Sequence, residues 1–362
     1  MRRFNVGIIG ATGMVGQRFI SLLQEHPWFD ITLLAASPRS VGKTYAEAVR
    51  GRWAMAGEIP ARVADLVLYD AADDAEEIAR SVDFVFCAVD MPKADIKALE
   101  ERYAKLECPV ISNNSAHRGT ADVPMIIPEI NGAHCDIVPV QRKRLSTKRG
   151  FVAVKSNCSL QSYLPALFPL RKFGFEQIAV ATYQAISGAG KTFETFPEIM
   201  DNIIPYIGGE EEKSEQEPLK ILGRAGDSGI VSAPSEAFPV TAQCVRVPVS
   251  DGHMGAVFVK FKQKPSREEI LELWDKFLGV ELPSAPEKFI TYFEEDDRPQ
   301  TRLDRDLGGG FGIAVGRLRE DSVFDYKFVC LSHNTVRGAA GGAILMAEQL
   351  AEKGYLDYCT ID

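Results

Sequence analysis

In the first third of the chain, apolar residues come in short continuous runs. FNVGIIG (4–10), ITLLAAS (31–37), DLVLYDA (65–71), VDFVFCAVD (82–90) and PVISNNS (109–115) read as five strands. Between them, MVGQRFISLLQEHP (14–27) and MPKADIKALEERYAKLE (91–107) repeat apolar positions at helical spacing. Continuous apolar strands alternating with amphipathic helices predict a parallel sheet covered on both faces. The texture changes after about residue 155. QIAVATYQAIS (177–187), TAQCVRVPVS (241–250) and HMGAVFVKFKQ (253–263) read as longer strands, some of them alternating. REEILELWDKFLG (267–279) reads as a helix, and FGIAVGRLREDSVFDYKFVCLSHN (311–334) as two strands joined by a turn. TVRGAAGGAILMAEQLAEKG (335–354) reads as an amphipathic helix whose small residues allow close packing on another backbone.

The expected fold class is therefore α/β. A Rossmann-like dinucleotide-binding domain spans 1–155 and is completed by the C-terminal helix, 335–362. An α+β domain with a largely antiparallel sheet spans 156–334. Two stretches read as surface: the acidic IGGEEEKSEQEP (207–218) as an exposed loop or insertion, and the basic QRKRLSTKRG (141–150) as a solvated loop.

With 362 residues, two domains are the natural division. A composition of 46% apolar and 25% charged residues is that of a soluble globular protein, and a net charge of −9 argues against nucleic acid or anionic membranes as partners. No apolar run approaches the ~20 residues that span a bilayer. The N-terminus MRRFNVGIIG runs straight into a glycine pattern and does not read as a signal peptide. Cysteines 87, 108, 135, 158, 244, 330 and 359 form no CxxC pair, so the expectation is reduced thiols in a cytoplasmic protein, with no metal site.

Three stretches carry candidate chemistry. GIIGATGMVG sets Gly10, Gly13 and Gly16 between a strand and a helix, a turn whose Gly10, Thr12, Gly13, Met14 and Val15 would approach a pyrophosphate. Its spacing is GxxGxxG rather than GxGxxG. Where an NAD-binding fold carries an acid for the ribose hydroxyl, ASPRSVGK offers Ser37, Arg39 and Ser40, which suit a 2′-phosphate and hence NADP. In VKSNCSLQ, Cys158 stands where a strand gives way to a helix, so the helix dipole would favour its thiolate, although a free cysteine is most often a small buried core residue. A thiol nucleophile needs a base, and CVRVPVSDGHMG supplies His253 for proton transfer together with Arg246 for a carboxylate. Arg118 ends SNNSAHR at the carboxyl end of a parallel strand, where ligands gather.

Taken in order, GATGMVGQRF, SPRSVGK, VISNNSAHR, PMIIPEIN, SNCS, ISGAG, DNIIPYIGGEEEK, CVRVPV with GH, and HNTVRGAAGGAILMAE resemble the aspartate-β-semialdehyde dehydrogenase family, in its archaeal and fungal branch, over essentially the whole length. The resemblance implies NADPH-dependent reduction of L-aspartyl 4-phosphate to the semialdehyde, with release of inorganic phosphate, in lysine, threonine and methionine biosynthesis. It implies Cys158 as the nucleophile that forms a thioester, His253 as general acid/base and Gln184 as the residue that orients substrate. It implies Arg246 for the α-carboxylate, and Arg118 with Asn114 for the acyl phosphate. A phosphate lysine and an amine-binding glutamate align with Lys220 and Glu217, while GEEEK offers Lys213 and Glu210 at the same spacing. Ser187, Gly188 and Asn334 match cofactor contacts; the bacterial branch has glutamine at the last. A homodimer or homotetramer through the second domain is implied as well. The rival readings are another acyl reductase on this scaffold (malonyl-CoA reductase or N-acetyl-glutamyl-phosphate reductase) and a non-catalytic NADP-binding redox sensor.

Overall fold

In the computed structural model, which describes residues 3–357, the first apolar run forms β1 (Phe4–Ile9), buried everywhere except at Asn5. It is joined by β2 (Phe29–Ala36), β3 (Tyr69–Asp70), β4 (Phe84–Cys87), β5 (Val110–Ser112), β6 (Met125–Ile126) and β7 (Val152–Lys155). All pair in parallel, in the order β3-β2-β1-β4-β5-β7-β6. From β1 the chain builds outward through β2 and β3, then returns to lay β4 on the other side. The strand order reverses between β1 and β4, so a crevice opens at their carboxyl ends. Gly10 turns the chain there with φ of 87°, and a Cβ on it would lie 2.4 Å from the Ala88 carbonyl oxygen. Glycine is therefore required for conformation and for space. The run expected as a third strand shrinks to two residues, because β2 offers β3 only Ala35 and Ala36 as partners.

After β7, a short helix (Leu160–Leu167) contains Pro165 and gives way to a tighter turn over Phe168–Phe173. The second sheet uses β8 (Phe175–Gln184), β11 (Val240–Arg246), β12 (His253–Phe261), β13 (Ile290–Phe293), β14 (Ile313–Glu320) and β15 (Tyr326–Ser332), while β9 (Arg224–Ala225) and β10 (Ile230–Val231) form a separate small hairpin. Its order is β11-β8-β12-β15-β14-β13. The three central pairings are antiparallel, and the two edge pairings, β11/β8 and β13/β14, are parallel. One face packs on the Leu160–Leu167 and Arg267–Lys276 helices, with Trp274 edge-on to Phe328 at 5.2 Å. A single apolar cluster runs from Val85 and Val110 of the first sheet through Leu164 to Val180 and Val257 of the second. On the other face Ala179, Ala181, Met254, Ala256 and Phe258 are only half-buried, and Tyr183 is exposed.

The C-terminal helix covers Gly341–Glu352 and lays Ile344, Met346 and Leu350 against Phe4, Phe84, Phe86 and Phe151 of the parallel sheet. It is buried on nearly every side rather than amphipathic, and an irregular bend occupies Val336–Ala340. The remainder of the stretch expected to complete the first domain, 358–362 with Cys359, lies outside the described residues.

Both stretches expected at the surface are corrected. Residues 210–221 form a helix packed against β11 that buries Glu210, Ser214, Glu217, Lys220 and Ile221. These residues recur at helical spacing, and the buried acids have partners, so the acidic run is a structured face rather than a solvated loop. In the basic stretch, 141–145 end the Val138–Leu145 helix and Lys143, Arg144, Ser146 and Lys148 are exposed, but Arg149 is buried, donating to the carbonyls of Glu107 and Leu356 at 3.0 Å each. Among the described residues, no helix is long and apolar enough to cross a membrane.

Candidate active site

The carboxyl ends of β5 and β7, the Glu210–Ile221 helix and the bend before the C-terminal helix enclose a cavity of about 260 Å³. Cys158 lines it, half-buried, three residues beyond β7. Asn157 holds the thiol in place. Its Oδ1 accepts from the Ser159 amide at 2.8 Å, its Nδ2 donates to Glu210 at 2.9 Å, and its own amide donates to Glu217 at 2.6 Å. Behind the thiol stands Gly338, where a Cβ would lie 3.0 Å from that of Cys158, so the bend approaches closely only because it carries glycine.

His253 opens β12 and is fully buried, with Nε2 3.4 Å from the Cys158 sulfur. Its Nδ1 accepts the Ala185 amide at 3.1 Å. An atom that accepts an N–H carries no proton, so the neutral ring bears its hydrogen on Nε2, facing the sulfur. Burial, with the Arg246 charge second, holds the imidazole pKa down to about 3. In this tautomer His253 presents a hydrogen-bond donor to the thiol. Burial and then Glu210 push the Cys158 thiol above its ordinary 9.0, against Lys155, Arg118 and Arg246, which pull it down.

Arg246 ends β11 in register with Gln184 of β8, and both are buried beside the histidine. Arg246 donates to the Ala185 carbonyl at 2.6 Å, and Gln184 reaches Glu210 at 3.4 Å. Gly188 passes them so closely that a Cβ would lie 3.0 Å from both Arg246 and His253. Ser187 and Gly188 line the cavity with Asn334 and Val15. Asn334 fastens that corner, accepting from the Gly252 amide at 2.7 Å and donating to Ser187 at 2.8 Å.

Arg118 also lines the cavity, held by the Lys155 carbonyl and Glu217 at 2.9 Å each. Asn114 lies beside it, but its side-chain donors turn inward to Glu100 at 3.0 Å and Cys87 at 3.4 Å. The amide it was expected to offer a phosphate is thus committed elsewhere. The two Glu-x-x-Lys pairs separate cleanly. Lys220 donates to the carbonyls of Arg118, Thr120 and Val123 at 2.7–2.8 Å, using all three of its hydrogens, and Glu217 braces Arg118 and Asn157. Neither lines the cavity, whereas Glu210 and Lys213 do, paired at 2.7 Å. This corrects the alignment of substrate contacts to Glu217 and Lys220.

A second cavity of about 560 Å³ runs over the glycine turn, lined by Gly10, Thr12, Gly13, Ser37 and Arg39. Gly13 precedes the Met14–Leu22 helix with no side-chain cap, so the first amides stay free for an anion. Ser40 is buried in the turn rather than in the lining, and Met14 lines neither cavity. Sequence reasoning missed Arg52, which lines this cavity, and Asn157 and Lys155 at the thiol. Only Asn157 carried a local signal, as a side-chain-capping residue just before a helix.

Two family models match the chain: "Semialdehyde dehydrogenase, NAD binding domain" over residues 5–137, and "Semialdehyde dehydrogenase, dimerisation domain" over 167–337. The aspartate-semialdehyde dehydrogenase of Archaeoglobus fulgidus is 43% identical over 97% of this chain and 99% of its own. That of Aspergillus fumigatus is 42% identical over 97% and 98%. The crystal structure of the Candida albicans aspartate semialdehyde dehydrogenase with NADP superimposes with a TM-score of 0.86 at 38% identity, covering 98% of this chain and 99% of that one. With matched models on both sheets and relatives of this identity along nearly its full length, the chain belongs to the aspartate-semialdehyde dehydrogenase family.

Proposed function

We propose that this protein reduces L-aspartyl 4-phosphate to L-aspartate 4-semialdehyde with NADPH, through a thioester on Cys158, as part of lysine, threonine and methionine biosynthesis. The observation that carries the reading is the Cys158 sulfur 3.4 Å from a donor imidazole, inside a cavity ringed by Arg118, Lys213 and Glu210. Cys158 attacks the acyl carbon, its thiol proton leaving on the departing phosphate, while the His253 Nε2–H donates to the oxygen or sulfur that gains charge. Arg118 and Lys213 neutralise the departing phosphate. Arg246 takes the substrate α-carboxylate, Glu210 its ammonium, and Gln184 fixes the chain between them. An amine-binding carboxylate favours aspartyl phosphate over malonyl-CoA, which has no amine, and over N-acetyl-glutamyl phosphate, whose amine is acylated.

The residues of the second cavity fit NADP: a cradle at Gly10 that any Cβ would fill, uncapped amides at the Met14–Leu22 helix, and Arg39 for the 2′-phosphate. The cofactor, when bound, supplies the hydride that reduces the thioester. His253 then protects the emerging oxyanion, and the aldehyde leaves as the thiolate re-forms. The reading includes a cytoplasmic homodimer or homotetramer joined through the half-buried face of the second sheet, and a division at 155 between cofactor and catalytic domains, the last helix returning to the first.

The test is phosphate-dependent reduction of NADP by aspartate semialdehyde. Wild type is expected to turn over, and Cys158→Ala to bind NADPH without turnover. A wild type that binds NADPH and ignores the semialdehyde would redirect the assignment to another acyl substrate.

A further inference from the structure

A phosphoryl group carries nearly two negative charges near neutral pH, so a cavity that holds one needs positive charge to spare. Two of the cations that line the cavity at Cys158 have little to spare. Arg118 is paired with Glu217 at 2.9 Å, and Lys213 with Glu210 at 2.7 Å. Arg246 stands beside His253, where the substrate α-carboxylate takes up its charge.

Lys155, the last residue of β7, is a third cation of the lining, and it is 1% exposed. Its carbonyl accepts from Arg118 Nε at 2.9 Å, so both cations belong to one stretch of wall. Its stem is confined by Gly342 of the C-terminal helix, where a Cβ would stand 3.3 Å from the lysine Cδ. Among the described residues its amine bonds only to the Ser156 carbonyl, which leaves two N–H groups uncommitted. Among the same residues no carboxylate pairs with it. Glu217 accepts from Arg118 and from the Asn157 amide, and Glu129 holds Arg337 through both oxygens at 2.6 Å. A buried ammonium without an anion is costly, and at a cavity wall the anion that satisfies it comes with the ligand.

We propose, on the substrate reading above, that Lys155 completes the phosphate subsite: its buried ammonium donates to a phosphoryl oxygen of the acyl phosphate, and of inorganic phosphate in the reverse direction, alongside Arg118 and Lys213. With three cations against two carboxylates the subsite keeps one positive charge, and without Lys155 it keeps none. Arg118 and Lys213 orient the anion, and Lys155 supplies the net attraction. The same ammonium favours departure, because the leaving phosphate gains negative charge beside it.

The subsite is expected to respond to pH. Burial, reinforced by Arg118 and Arg337, lowers the Lys155 pKa to about 7, while Cys158 and Glu217 oppose the shift. These neighbours come from the loop after β5, the bend before the last helix, the turn after β7 and the helix packed on β11. An anion binds the ammonium and not the neutral amine. Its affinity is therefore full below about 7 and falls as pH rises through that value, by about tenfold between pH 6 and pH 8. His253, held down to about 3, and Cys158, above 9.0, keep one charge state over that range.

The probe is sulfate, which stays a dianion over that range whereas phosphate does not. Its binding at constant ionic strength is read from how far it slows alkylation of Cys158 by iodoacetamide, with Cys158→Ala as the blank. For wild type, the sulfate concentration that halves the rate is expected to rise about tenfold from pH 6 to pH 8. Lys155→Met is expected to need about tenfold more sulfate at pH 6 and to lose the pH dependence. Lys155→Arg, a cation that keeps its proton, is expected to restore protection at pH 8. NADPH binding checks that each variant is folded. Wild type alone gives a second reading: calorimetry in two buffers is expected to show uptake of about half a proton per sulfate bound at pH 7. Equal sulfate binding by wild type at pH 6 and pH 8, no sulfate binding at all, or Lys155→Met binding like wild type would overturn the assignment. The expected sulfate profile without turnover of aspartate semialdehyde would instead count against the acyl substrate and leave the anion site in place.

Discussion

The residues around the thiol divide by whether their polar atoms are already engaged. Lys213 and Lys220 carry the same charge at the same offset from a glutamate, but one faces the cavity and the other closes three carbonyls. Lys213→Met is expected to raise KM for phosphate in the reverse reaction by at least about tenfold and to leave stability within about 0.5 kcal/mol, since it removes a half-exposed charge. Lys220→Met leaves three buried acceptors unmatched and is expected to cost about 3 kcal/mol in denaturant unfolding, with KM for phosphate near wild type in the folded fraction. The opposite pattern would return the phosphate to Lys220. The sequence could not decide between them, because seven residues are nearly two full turns and both pairs share one helix face. Which end meets the cavity depends on how the helix docks on β11. Cys158, His253, Arg246 and Arg118 stood out because their residue types suit acyl-phosphate chemistry, and the fold brings them together around one thiol. The His253 tautomer did not stand out, since it depends on an amide 68 residues away.

At the scale of elements, what the sequence conveyed best was the strand–turn–helix that opens the chain, where conformation and contact depend on neighbours a few residues apart. The turn contains two glycines with different duties. Gly10→Ala places a Cβ 2.4 Å from the Ala88 oxygen at φ of 87°, and is expected to cost about 3 kcal/mol as well as NADPH binding. Gly13 has an extended φ of −75°, and its Cβ would meet only the Gly10 oxygen at 3.5 Å. Gly13→Ala is therefore expected to unfold like wild type while losing about tenfold or more in NADPH affinity, because the added methyl faces the second cavity. Calorimetry of unfolding and of NADPH binding separates the two, and a destabilised Gly13→Ala would mean that this glycine too serves the fold. The acidic 207–218 run was misread at this same scale. Charge suggested solvent, yet the helix turns Glu210 and Glu217 toward Asn157 and Arg118, partners that lie far away in the chain.

The whole molecule hangs on the second sheet having two unlike faces. Alternate residues of β8 and β12 point to opposite sides, so Gln184 and His253 face the site while Tyr183 and Met254 face outward. The outer face is apolar, with Ala179, Ala181, Ala256 and Phe258 half-buried and Tyr183 39% exposed. Such a contiguous patch on a sheet is the surface that a second copy would cover. Tyr183→Asp sets a charge at its centre and is expected to weaken self-association by about 3 kcal/mol or more, giving monomers by sedimentation at concentrations where wild type is associated. Because Tyr183 is bonded directly to Gln184, loss of the partner is also expected to lower kcat, whereas the cavity over the glycine turn lies on the other sheet, so NADPH affinity is expected to hold. A variant that sediments like wild type would place the interface elsewhere. One that dissociates with full kcat would show that each subunit positions its own catalytic strand ends.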